Sequence, residues 1–142
     1  MNCFEYQFQV IFRDVSDAYI QGQDVPCSFI LGTKVQAKNG DRIAIFRVPW
    51  SSIHDFVSFV WAKDSANEVK LRSRQSQEVF ERRKTFDAGN LRSLQADDDE
   101  YYQFCYVSED GEILGSSPTF QIFSENKDSG STSKTSVTEV SR

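Results

Sequence analysis

The sequence predicts an all-β fold, an antiparallel sandwich of about seven short strands. Three observations carry that expectation. Apolar residues recur with period two in several separate runs, the first at Phe4, Tyr6, Phe8, Val10 and Phe12. Aromatic residues make up 13% of the 142 residues, including twelve Phe, and such side chains suit a pleated, half-buried surface. No segment sustains a long helical period, and turn-forming residues punctuate the runs.

The elements follow in order. After the first alternating run, "DVPCSFIL" places Val25, Cys27, Phe29 and Leu31 on one face. "DRIAIFRV" follows a Lys-Asn-Gly-Asp turn and is apolar on both faces apart from Arg42 and Arg47, as a central strand of a sandwich is. "DFVSFVWA" gives another strand ending near Trp61. Residues 63–94 are polar and basic with short apolar repeats, read as one or two edge strands, with a short amphipathic helix around 77–84 as the alternative. "YYQFCYV" sets Tyr102, Phe104 and Tyr106 against Tyr101, Cys105 and Val107. "SEDGEI" carries an Asp-Gly hairpin signal, and "PTFQIF" supplies the return strand. From Ser124 onward the composition changes: nineteen residues hold nine Ser or Thr and no aromatic. Residues 1–123 are therefore expected to form one domain, and residues 124–142 a disordered tail or linker.

The totals narrow the function. A net charge of −5 argues against a general nucleic-acid binder. No apolar run approaches the roughly 18–20 residues of a membrane span. The first ten residues lack the basic start of a secretory signal, so the expected compartment is the cytoplasm. Three cysteines, an odd count, fit reduced thiols there.

The acid run Asp97–Glu100 is the first candidate for chemistry. A calcium loop needs oxygens at alternating positions, a central Gly and a distant Glu. This run has no Gly and passes at once into bulky aromatics, so it reads as a turn launching a strand at Tyr101. Tyr102 has the parity to hydrogen-bond back to that turn as a tyrosine corner, a device of immunoglobulin-like sandwiches. Cys27, Trp61 and Cys105 also stand in the order of an immunoglobulin disulfide framework, but parity points the two sulfurs apart, and both are expected reduced. There is no C-x-x-C pair for zinc. His54 is the only histidine, and its neighbour Asp55 points to the opposite face of a strand, which makes a poor catalytic pair. Phosphate-binding glycine loops and the G-x-S-x-G elbow are missing. The expectation is a non-enzymatic binding module with no catalytic residue, metal or cofactor.

Eight of the sixteen Lys and Arg fall between residues 63 and 94, most densely at Arg72, Arg74, Arg82, Arg83 and Lys84. One reading is a patch for an anionic ligand such as a phosphoinositide head group. The other, favoured because five acids interleave, is an edge strand protected by charge.

The strands assemble into a recognisable pattern. "VIFRDVSDAYIQGQDVPCSFIL", "DRIAIFRVPW" and "DDDEYYQFCYVSEDGEILGSSPTFQIF" resemble a SKICH domain from about Val10 to Phe123. The likeness is greatest to the N-terminal domains of the calcium-binding and coiled-coil domain family, the nuclear dot and Tax-binding autophagy receptors. It implies an immunoglobulin-like β-sandwich and a protein-interaction module that recruits adaptors, of the kinase-adaptor or autophagy-machinery type. Phosphoinositide-directed SKICH domains, as in inositol polyphosphate 5-phosphatases, give the alternative function, with weak phosphoinositide binding. Ser116 stands where the family has a small Ala in its adaptor-binding surface, so Gly115, Ser116 and Ser117 become the candidate partner-binding residues. Small side chains and a strand break at "GSSP", with backbone groups left available, support that choice; a β-bulge over Gly115–Pro118 is the structural alternative.

Overall fold

The computed structural model describes residues 9–63, 67–71, 79–97 and 99–124. Cys3, the aromatics before Gln9, Arg72, Arg74 and the tail from Glu125 lie outside them. Ten strands form among the described residues: β1 Val10–Arg13, β2 Ala18–Ile20, β3 Val25–Leu31, β4 Arg42–Val48, β5 Phe56–Trp61, β6 Asn67–Leu71, β7 Val79–Phe86, β8 Tyr101–Val107, β9 Ile113–Ser116 and β10 Gln121–Phe123. The excess over about seven comes from short pieces such as β2 and β10, three residues each, whose pattern is too brief to read in a sequence. Of the stretch around 77–84, the described residues 79–84 are strand, not helix, because β7 is clamped between β3 and β6, and residues 77 and 78 lie outside the described residues.

One sheet has the order β1-β3-β7-β6 and the other β5-β4-β8-β9, all antiparallel. A short parallel pair, β2 with β10, joins them at one end. This is the immunoglobulin-like arrangement, with strands A-B-E-D facing C′-C-F-G. Alternation builds the core between the sheets. Val25, Cys27 and Phe29 from β3 meet Ile43 and Ile45 from β4 and Tyr102, Phe104 and Tyr106 from β8, all buried. Phe104 is the hub: its ring lies 4.8 Å from Phe120, 5.8 Å from Phe12 and 5.9 Å from Phe86, within the range of favourable aromatic pairing.

Two polar devices fix the loops. The Gln95 N–H donates to the Tyr102 hydroxyl oxygen at 3.1 Å, the expected tyrosine corner. The acid run serves that turn: Asp97 accepts from the Asp99 N–H at 2.8 Å, and Glu100 pairs with Arg47 at 2.8 Å. Asp41, itself buried, accepts from the Tyr106 hydroxyl at 2.6 Å, the Glu109 N–H at 2.8 Å and the Lys38 N–H at 3.0 Å. It thereby ties the β3–β4 loop to β8 and to the β8–β9 hairpin. Burial, and then the bond to Asp41, push the Tyr106 hydroxyl well above its usual range. In that hairpin Gly111 takes φ +88°, the left-handed conformation that the Asp-Gly signal predicts.

The parity argument for the cysteines holds. Cys27 faces the core between the sheets, whereas Cys105 faces the outer side of the second sheet, in a separate apolar cluster. Both thiols are buried and free, and burial pushes both up from the ordinary range. Trp61, the middle member of the immunoglobulin-like order, is 53% exposed and takes no part in the core.

Candidate functional site

Of the candidate residues, Ser116 lies on the outer face of the second sheet. Register pairs Phe59 with Ala44, Ala44 with Cys105 and Cys105 with Ser116, so one row crosses all four strands. Ala44 and Cys105 are buried, and Ser116 is the exposed end. The adjacent row on one side is Trp61, Arg42, Val107 and Ile113, and on the other Phe56, Phe46 and Gln103. The Trp50 ring lies flat on Phe46, with centroids 4.2 Å apart and planes 20° apart. Phe56, Phe59 and Trp61 form an edge-to-face chain along β5, at 5.3 and 5.1 Å. Trp50, Ile53, Phe59 and Ile113 pack over Ala44, Phe46, Cys105 and Val107 as a closed apolar cluster on this face, and Ser116 lies at its exposed edge. Beyond the Ile113 end of the cluster stand Glu109, Asp110 and Glu112 of the hairpin, with Lys38 3.9 Å from Asp110.

The three candidate residues divide in role. Gly115 backs onto β1: a Cβ there would sit 2.2 Å from the Val10 carbonyl oxygen. Its smallness is used within the fold, where the edges of the two sheets meet. Ser117 is buried; its hydroxyl accepts from the Phe104 N–H at 2.9 Å and donates to the Pro118 carbonyl at 2.7 Å. The expectation that "GSSP" leaves its backbone available fails at Ser117. Its N–H donates to the Phe104 carbonyl at 2.8 Å, and its own carbonyl accepts from Gln103 Nε2 at 3.1 Å. The register irregularity lies opposite Tyr106–Val107, around Leu114, ahead of the Gly115–Pro118 stretch. Only Ser116 presents a side chain to solvent, with its oxygen 3.4 Å from the Cys105 sulfur.

Among the described residues, the basic candidates Arg82, Arg83 and Lys84 do not share one face. Opposite residues of an antiparallel pair share a face, and β7 pairs Arg82 with Phe29, Lys84 with Cys27 and Arg83 with Ser28. Arg82 and Lys84 therefore lie on the side of the core residues and Arg83 on the other. Arg83 donates to the Ser28 hydroxyl at 3.2 Å and lies 3.5 Å from Glu81, which also meets Arg13 at 3.9 Å. Arg72 and Arg74 are outside the described residues. The alternation that makes β7 a strand is what divides the run.

Sequence reasoning missed Trp50 and Gln103, linked to the Ser117 carbonyl, and Phe59 at the far end of the row that ends in Ser116. The signal was present in "DRIAIFRV": apolar residues on both faces of a central strand require a cover on the outer face too. The register that chooses the cover is a tertiary property.

The fold is thus an immunoglobulin-like sandwich that carries a second apolar cluster on one outer face. The SKICH domain family matches residues 10–122, and the chain belongs to that family. It is 38% identical over 120 residues to human calcium-binding and coiled-coil domain-containing protein 2, covering 84% of this chain and 25% of that protein. It is 32% identical over 122 residues to the protein of that name from Xenopus tropicalis, covering 86% of this chain and 23% of the relative. Against Tax1-binding protein 1 homolog B of Danio rerio it is 32% identical over 113 residues, 80% of this chain and 13% of the relative. The chain thus spans about a quarter or less of the relatives described. This membership supports a protein-interaction module. Among the described residues, no helix is long and apolar enough to cross a membrane.

Proposed function

We propose that this chain is the adaptor-recruiting SKICH domain of a selective-autophagy receptor-like protein acting in the cytoplasm, and that it binds a protein adaptor, of the kinase-adaptor or autophagy-machinery type, at the outer-face surface that ends in Ser116. One observation carries the reading: Ser116 is the small, exposed terminus of the row Phe59–Ala44–Cys105–Ser116, at the edge of the apolar cluster on the outer face. The small side chain of Ser116 permits close approach, the exposed rings of Phe56 and Trp61 on the same face offer apolar contact, and the acidic hairpin steers a basic flank of the partner. Gly115 and Ser117 hold Ser116 in place.

Ser116→Gln tests it. The side chain is exposed, so the melting temperature should stay within about 2 °C of the parent, as for most surface changes. Capture of the adaptor should be lost, because a long side chain over a close-packed contact separates the surfaces. Unaltered capture by Ser116→Gln refutes the site. Loss of capture in Arg82→Glu with Arg83→Glu, together with competition by phosphoinositide vesicles, replaces the reading with the membrane-directed one.

A further inference from the structure

The outer face contains a hydrogen-bonded relay beside Ser116. Gln103 lies two residues from Cys105 on β8 and so shares its face. Its amide spans two elements. Oε1 accepts from the Trp50 Nε1–H at 2.9 Å, and Nε2 donates to the Ser117 carbonyl at 3.1 Å. Trp50 is pressed on Phe46, which is buried, and Ser117 is bonded to Phe104 and Pro118. The indole of Trp50 and the main chain next to Ser116 are therefore joined through one side chain, across the gap between the β4–β5 connection and the end of β9.

The chemistry of that join is selective. One side has a donor only, the indole N–H, and the other an acceptor only, the carbonyl. A neutral amide carries one group of each kind; a carboxylate serves the indole alone, a thioether neither side well. We propose that Gln103 is a positioning residue of the binding surface, setting Trp50 and Ser116 at a fixed spacing, and that the bound adaptor contacts the two together. This rests on the reading of Ser116 as the docking point. A surface set before the partner arrives loses less freedom on binding.

The test uses the folded chain and the protein adaptor that the parent retains, with Ser116→Gln run alongside. The chain has two Trp, so a ¹⁵N-labelled sample shows two indole N–H signals, that of Trp61 serving as reference. In Gln103→Met the Trp50 signal should move and adaptor affinity should fall about tenfold, the scale of the ordering cost regained. In Gln103→Glu the Trp50 signal should stay near its parental position while affinity still falls, because the Ser117 arm alone is broken. Purely structural support has no reason to separate the two readouts in this way. Trp50→Phe keeps a ring on Phe46 but removes the donor, and it too should bind more weakly at a near-parental melting temperature. Parental affinity in Trp50→Phe or in folded Gln103→Met overturns the proposal, as does an unmoved Trp50 signal in Gln103→Met. If Ser116→Gln itself leaves capture unchanged, the failure belongs to the docking reading instead.

Discussion

Replacing Gly115 with Ala separates two uses of a small residue. An ideal Cβ at Gly115 lies 2.2 Å from the Val10 carbonyl oxygen and 3.0 Å from both the carbonyl carbon and the Cβ of Val10. The first distance is short of van der Waals contact by roughly 1 Å. The obstacle is backbone, and Val10 is held by β3 through its pairing with Leu31, so β9 and β1 must move apart. Overpacking of this kind costs typically 1–3 kcal/mol, and we take about 2 kcal/mol. For a domain of this size, at about 4 °C per kcal/mol, the melting temperature should fall by about 8 °C. Gly89→Ala is the control: its Cβ meets nothing within 4 Å, and the change should stay within about 0.5 kcal/mol. Thermal and urea unfolding of the two variants beside the parent give the comparison. If Gly115→Ala is as stable as Gly89→Ala yet loses the adaptor, Gly115 serves the partner and the argument from the β1–β9 seam is wrong.

Three further outcomes follow from the buried polar groups. Tyr102→Phe removes the acceptor of the Gln95 N–H and should cost about 1–3 kcal/mol, whereas Asp99→Ala in the exposed turn should stay within about 0.5 kcal/mol; stabilisation of the parent by calcium in a melt would contradict the reading of that run as a turn. Iodoacetamide at pH 8 should leave Cys27 and Cys105 unlabelled in the native chain, because both thiols are buried and pushed up, while the denatured, thiol-blocked chain should count three thiols; a count of one would mean a disulfide. The folded Tyr106 hydroxyl titrates above its unfolded value of about 10, so its contribution is complete below that pH and is lost as pH rises, at a slope of about 1.4 kcal/mol per unit for one proton. Tyr106→Phe should flatten the decline in unfolding free energy between about pH 10 and 11 by roughly that slope; equal slopes in parent and variant would show that Tyr106 is not protected.

Local pattern was enough to read the fold class, the turn at Asp97–Glu100, the strand from Tyr101, the orientation of Cys27 against Cys105 and the tyrosine corner. These depend on local alternation and on residues within one loop, which a strand's period of two makes legible. The sequence also singled out "GSS". Only the tertiary structure distributed the work within that segment: Gly115 against Val10, Ser117 bonded to Phe104 and Pro118, Ser116 alone facing solvent. It likewise divided Arg82 and Lys84 from Arg83, although the run reads as one basic block. And it set Phe59 and Ala44, from strands far apart in the chain, in one row with Cys105 and Ser116. The physical reason is register. Period fixes which face a side chain takes, but the neighbour it meets across a sheet, and whether that neighbour is backbone, ring or water, follows from which strands pair and at what offset.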